Sequence, residues 1–282
     1  MAERGQGGDA AASRRVCWRE FSGWRETLPL LLTASGLAPA LAGRRRILIK
    51  PNLVEPLAPP ITTPVALVEA LVEYLREAAP TAELVIGEGC GSKEYDTWHC
   101  FRELGYLDLA RRLGVELVDL NEAELVELAN PSCRRWPRMH LPALAFDAFL
   151  LSVPVLKVHT LAGVTLTMKN MMGLAPPVHY QRGGHWKKAA FHEQVQEAVF
   201  DLNRYRTPDF TLLDATVGMA EAHLWGATCR PPVNRLVAGF DPVAVDAFGA
   251  GLLGRDWRQI DHIRLADGLL GDVAGGAPVE VV

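Results

Sequence analysis

Lys157, His159, Thr160, Thr165, Thr167, Lys169 and Asn170 fall in one short stretch, residues 157–173, that holds no acidic residue. Lysine supplies a compact positive charge for a carboxylate or phosphate, and the Asn170 carboxamide can orient it by hydrogen bonds. His159 can act as a general acid or base, or ligate a metal. The plainer alternative is an exposed loop with solvated lysines. A second lysine–asparagine pair recurs in Ile49-Lys50-Pro51-Asn52. Pro51 disfavours helix at Lys50, so Lys50 and Asn52 can point off the end of a strand.

Three further groups could join this chemistry. Gly87-Glu88-Gly89-Cys90-Gly91-Ser92 follows a strand and precedes a helix, where a phosphate-cradling loop belongs. It departs from G-x-G-x-x-G, with Ser92 at the third glycine position, and Glu88 is a candidate catalytic carboxylate. His179, His185 and His192 do not match H-E-x-x-H, so a metal site has to collect distant ligands such as His159, His185 and Asp214. His185, on a loop with Gly183-Gly184, is the best placed of them, and Trp186, Lys187 and Lys188 add a small basic-aromatic patch. Asp214 ends an apolar strand. Asp241 reads as a helix N-cap, whereas Asp246 sits one turn inside that helix and is a candidate orienting carboxylate. Cys90, Cys100 and Cys133 show no basic-neighbour pattern strong enough to argue for a reactive thiolate.

These residues must be positioned by elements with an α/β rhythm. Short aliphatic runs at 45–50, 84–86, 115–120, 149–153, 210–214 and 236–239 read as buried strands. Helical patterns lie at 63–78, with Thr63 as N-cap and Pro64 at the first position, then 97–113, 189–205 and 242–253. Trp18 to Ser35 reads as an amphipathic helix bearing Phe21, Trp24 and Leu28. Residues 121–140 read as a short helix followed by a Pro/Arg/Trp-rich excursion, and 157–188 carry no clean period. The expectation is an α/β fold: an open, mostly parallel sheet with helices on both faces and a long irregular loop insertion. In such sheets ligands bind at the carboxyl ends of the strands. Residues 1–15 read as a Gly/Ala-rich disordered tail and 16–282 as a single α/β domain.

Composition limits the classes. The chain has 282 residues, 49% of them hydrophobic, enough for a sizeable core. With 29 basic and 33 acidic residues the net charge is −4, which argues against a dedicated nucleic-acid binder. Five cysteines without C-x-x-C suggest a reducing compartment. The apolar run Leu28 to Ala42 is too short to span a membrane, and Trp18-Arg19-Glu20 stands where a twin-arginine leader needs an apolar region. The expected setting is cytoplasmic, with no membrane partner.

Ile49-Lys50-Pro51-Asn52, Thr62-Thr63-Pro64, Val153-Pro154-Val155-Leu156-Lys157-Val158-His159, Thr165-Leu166-Thr167-Met168-Lys169-Asn170-Met171-Met172-Gly173 and Ala238-Gly239-Phe240-Asp241-Pro242-Val243-Ala244-Val245-Asp246 together resemble the domain of unknown function 362 family. The motifs run in the family's order over about residues 45–272. The resemblance implies an α/β domain, often beside or fused to ferredoxin-type iron–sulfur modules, whose activity is not established. This chain has no cluster-binding cysteine run, so an iron–sulfur role requires a separate partner.

The leading expectation is an enzyme that binds a small anionic molecule through Lys50, Asn52, Lys157, Thr165, Asn170, Asp214 and Asp246. His159, His185 and Lys169 are its catalytic candidates, and Gly87, Glu88, Gly89 and Ser92 a subsidiary phosphate loop. No cofactor is specified by the pattern; a metal stays a candidate. One alternative is a non-catalytic accessory protein docking an iron–sulfur or metal-handling partner through an exposed Met168-Met171-Met172 surface. The other is a metalloenzyme using His159, His185 and Asp214.

Overall fold

The structure is a computed structural model that describes residues 15–275 and 277–282. Of the expected tail, all but the exposed Arg15 lies outside the described residues. In chain order the main elements are β1 (Cys17–Glu20), α1 (Trp24–Ala34), β2 (Arg46–Pro51), α2 (Val65–Ala78), β3 (Glu83–Glu88), α3 (Thr97–Glu103), α4 (Tyr106–Leu113) and β4 (Glu116–Asp119). There follow β5 (Leu125–Ala129), β6 (Arg138–Pro142), β7 (Phe149–Val153), β8 (Val155–His159), β9 (Gly163–Thr165) and the single turn α5 (Thr167–Asn170). The chain closes with α6 (Val195–Tyr205), β10 (Phe210–Met219), β11 (Arg235–Gly239), α7 (Pro242–Leu252), α8 (Asp261–Ala266) and β12 (Val279–Glu280).

The main sheet runs β12-β1-β11-β10-β7-β2-β3-β4. Its centre is parallel: β2 pairs with β3 and β7, β3 with β4, and β7 with β10. Antiparallel pairs β10–β11 and β11–β1 add one flank. Side chains alternate between two cores, as a pleated strand requires. Ile47 and Ile49 join Leu67, Leu71 and Phe101 of α2 and α3 on one face. Leu48, Leu150 and Leu213 join Val199, Leu202 and Val243 of α6 and α7 on the other. The fold is thus α/β with helices on both faces.

Pro154 matters most for the site. It ends the β7–β2 pairing, and the chain resumes as β8, which pairs with the far half of the long β10 (Asp214 opposite Val155, Met219 opposite Lys157). This lifts Lys157 and His159 past the carboxyl edge of the sheet. β9 then folds back antiparallel, setting Thr165 opposite Lys157.

Several expectations are corrected. The Trp18 helix begins only at Trp24, because residues 17–20 form a strand paired between β11 and β12, and Arg235 stacks on the Trp18 ring. The helix expected over 97–113 is two, broken at Gly105, whose φ of 82° favours glycine. The helix expected after Asn121 is instead the β5–β6 hairpin. Thr63 caps nothing: its hydroxyl donates to the Val153 carbonyl (2.7 Å) and accepts from the Asn52 N–H (2.8 Å), tying two strand ends together. The region 157–188 is irregular as expected, but punctuated by β8, β9, α5 and short turns. Asp241 is the N-cap of α7, accepting from the N–H groups of Val243 and Ala244.

Candidate functional site

The carboxyl ends of β2, β3 and β8 deliver Lys50, Glu88 and Lys157 to one buried network. Lys50, with no exposure, donates from Nζ to both Glu88 carboxylate oxygens (2.9 and 3.0 Å) and to Asn170 Oδ1 (3.3 Å). Asn170 Nδ2 donates to the Lys50 carbonyl (3.2 Å) and Ser152 Oγ (3.0 Å). Asn52 Nδ2 reaches Asn170 Oδ1 (3.2 Å), and Lys157 Nζ donates to Asn52 Oδ1 (2.9 Å) and the Ile61 carbonyl (2.6 Å). The spare lone pairs of Glu88 accept from the N–H groups of Gly89 and Leu53. Burial pushes the Lys50 ammonium below its ordinary value, with Glu88 pulling the other way. Lys157 is lowered to about 7 by burial and then by the charge of Lys169.

This network is closed. A Cβ on Gly173 would fall 2.0 Å from Glu88 Oε1 and 2.4 Å from Lys50 Nζ, so the backbone there packs directly on the ion pair. Lys50, Glu88, Asn52 and Asn170, expected to face a ligand, mainly satisfy one another.

The phosphate-loop expectation fails for a related reason. The Gly89 amide is taken by Glu88 Oε1, the Cys90 amide by Thr97 Oγ1, and the Gly91 and Ser92 amides by the Val54 carbonyl. The following helix starts only at Thr97, capped by the acidic Asp96. No amide of residues 89–92 remains to cradle an anion.

Lys169 is the contrast. It is partly buried on α5, its pKa lowered to about 8 by burial, and among the described residues its ammonium has no hydrogen-bond or ion-pair partner. It lines a small cavity of about 60 Å³ with Asn52, Glu88, Asn170 and Lys188. Its charge also acts on His159, His192, His223 and His262, and on Lys157. His159, His192 and His223 line a larger cavity of about 620 Å³ together with the exposed His185.

The imidazoles of His159, His223 and His262 are held neutral. Burial, then Lys169, pushes His159 far below the usual histidine range and takes His223 and His262 to about 3. The rings of His159 and His223 stack with centroids 4.1 Å apart, which two imidazolium ions would resist. His159 Nδ1 accepts from the N–H groups of Leu161 and Ala162 (both 3.1 Å), so the neutral ring carries its proton on Nε2. His159 is therefore a hydrogen-bond donor toward the cavity, corrected from a base or metal ligand. Three buried polar atoms around Lys169 and Lys157 have no partner: Thr165 Oγ1, His223 Nδ1 and His262 Nε2.

The carboxylates position rather than face the cavities. Asp246 is fully buried, and its two oxygens accept from Thr167 N–H (2.8 Å) and Met168 N–H (2.9 Å), pinning the start of the turn that carries Lys169 and Asn170. Burial pushes its carboxyl up to about 7, against the pull of those two amides. Asp214 Oδ1 accepts from the Thr216 amide and hydroxyl (2.9 and 2.7 Å), and burial raises its pKa. Among the described residues no group of three His, Cys, Asp or Glu is disposed to hold a metal ion, so the set His159, His185 and Asp214 is not gathered. Met168, Met171 and Met172 are buried in the core, which leaves the accessory-docking alternative without its surface.

Some participants carry little sequence signal. His223 lies on the loop after β10 with no motif around it, and His262 sits on α8. Lys188 belongs to no surface patch: it is buried, donates to Asn121 Oδ1 and the Ala175 carbonyl, and is lowered to about 7 by burial. Cys90 does have a basic neighbour, Lys187 Nζ at 3.1 Å; a Cys100 hydrogen bond, then Lys187, brings its thiol down to about 6.

Comparison with known proteins places the chain. The profile described as Domain of unknown function (DUF362) matches residues 47–251, and the chain belongs to that family. No curated protein matches it. Among solved structures, the lactate racemase apoprotein from Thermoanaerobacterium thermosaccharolyticum is similar, with a TM-score of 0.50 and 14% identity over 87% of this chain. The match spans 58% of that chain's length, and the likeness is one of fold. No helix among the described residues is long and apolar enough to cross a membrane.

Proposed function

We propose that this member of the DUF362 family is an enzyme that binds a small carboxylate- or phosphate-bearing molecule in the crevice around Lys169 and transfers a proton to or from it. The observation that carries the reading is the ammonium of Lys169, partly buried and without a partner among the described residues. Desolvating a cation is costly unless an opposite charge offsets it. His159 Nε2–H and the partnerless Thr165 hydroxyl, on β8 and β9 just ahead of α5, are the further donors this reading assigns to an anionic oxygen. Lys157, opposite Thr165 on the ladder, adds positive potential.

Proton exchange follows from the lowered pKa. At about 8, the Lys169 amine is still mostly protonated at pH 7, yet a fraction is free base. General acid–base efficiency is greatest when a group's pKa lies near the working pH. Lys169 is the catalytic amine in this reading, His159 the donor that orients the ligand, and His185 a candidate contact from the outer wall. Asp246 is a positioning residue. Lactate, for which the similar racemase is named, is a small carboxylate; the ligand class here rests on this chain's own side chains.

Thermal unfolding with lactate, pyruvate, citrate or inorganic phosphate tests the reading. A ligand at about 100 times its Kd adds about 2.7 kcal/mol of stability. At least one of these anions should raise the Tm of the wild type and leave that of Lys169→Met unmoved. Stabilisation of neither protein, or of both equally, contradicts the proposal.

A further inference from the structure

A second cavity, about 660 Å³, opens beside the β5–β6 hairpin. Arg135, Trp136, Arg138, His140, His179 and Arg182 line it, and no acidic side chain does among the described residues. Its size suits a molecule larger than a simple organic acid. The rings of His140 and His179 lie parallel, with centroids 3.8 Å apart and planes within 6°, forming a flat aromatic platform. Arg135 lies over the Trp136 ring at 5.0 Å.

The charges are unequally compensated. Arg138 is paired with Glu127 (2.6 Å), which also lies 3.6 Å from His140, and Arg135 is paired with Glu193 (2.5 Å). Arg182, exposed and flanked by Gly183 at a φ of 66°, makes no hydrogen bond or ion pair among the described residues. The Trp136 indole N–H and Arg135 Nε–H are buried without partners. One guanidinium in excess beside an aromatic platform fits one anionic group attached to one ring.

We propose that this cavity, which shares Arg182 with the wall of the His159 cavity but shares no residue with the one Lys169 lines, is a binding site for a singly phosphorylated or carboxylated aromatic molecule, of the nucleoside monophosphate type. The ring extends the His140–His179 stack, and the anion takes the fork of Arg182, whose planar donors match a phosphate or carboxylate. With Arg135 and Arg138 already held by Glu193 and Glu127, additional phosphates find no further free cation. A triphosphate therefore gains little over a monophosphate.

Isothermal titration calorimetry with AMP as the probe, and adenosine, inorganic phosphate and ATP as controls, tests this. AMP should bind the wild type more tightly than adenosine or phosphate alone, and ATP about as tightly as AMP. Arg182→Ala, an exposed change that leaves the fold intact, should weaken AMP binding about tenfold, the scale of one charge-assisted hydrogen-bonding group. His179→Ala, with its folding checked by thermal unfolding, should weaken it as well. Lys169→Met should bind AMP as the wild type does. Absence of AMP binding, indifference to both Arg182→Ala and His179→Ala, or loss of binding in Lys169→Met overturns the proposal. The last result would put the nucleotide in the crevice, so it is distinguishable from failure of the small-acid reading.

Discussion

Lys50 and Lys169 both approach Asn170, yet their surroundings are opposite. Lys50 has two carboxylate oxygens, a carboxamide and a carbonyl within hydrogen-bond reach, and Gly173 seals it from above. Lys169 has none of these and borders the small cavity instead. The first lysine completes the fold, whereas the second carries a charge that no group among the described residues answers, which is why the proposed reading assigns the ligand to it. A cluster of lysines at strand ends thus divides into scaffold and site by whether each charge is already answered.

The largest effect should come from breaking the answered charge. Glu88→Gln leaves Lys50 buried with no carboxylate and should cost about 3–5 kcal/mol in urea unfolding, the scale for stripping one partner from a buried ion pair. A loss under about 1 kcal/mol would mean that water or another group reaches Lys50, and the contrast with Lys169 would weaken.

Next comes the residue that joins the two regions. Asp246→Asn keeps one acceptor but presents an amide to a second N–H, and should cost about 1–3 kcal/mol at pH 8. The cost should grow toward pH 5. The carboxyl, raised from 3.8 to about 7 in the fold, keeps a proton there that the unfolded chain has released. The wild type is therefore most stable below that interval and loses this stability as pH rises from about 4 to 7, whereas the variant's carboxamide does not titrate. The same variant should weaken anion binding at Lys169, because the turn bearing Lys169 loses its anchor. A variant of normal stability and binding would leave Asp246 with no positioning role.

The smallest effect belongs to Lys169. Its folded pKa, about 8, lies below the ordinary lysine value of 10.5. Through that interval the unfolded chain holds a proton that the native protein has released, so this group makes stability rise with pH. Relative to Lys169→Met, the ligand-free wild type should gain stability between about pH 8 and 10.5, and lose that gain when an anion restores the charge.

Much of the frame is legible in the chain. The strand endings Ile49-Lys50-Pro51-Asn52 and Val155-Leu156-Lys157-Val158-His159 announce themselves by aliphatic runs broken by proline or polar groups, and Asp241-Pro242 marks a helix start. Which lysine is satisfied is not legible, because the pairings that decide it join residues 38 and 120 positions apart. Gly173 gives no local hint that its missing side chain makes room for Glu88. Trp18 misleads because a strand of four residues leaves too short a pattern to outweigh a helical periodicity beginning near it. His223 reaches His159 only through the fold.

Titration of 15N-labelled lysine side chains by NMR, with Lys169→Met to assign the signal, tests the central distinction most directly. The Lys169 amine should titrate near pH 8 in the free protein and move back toward the ordinary lysine range when a stabilising carboxylate or phosphate is added. A Lys169 signal that titrates in the ordinary range from the start, or that ignores every such anion, would contradict the division into scaffold and site.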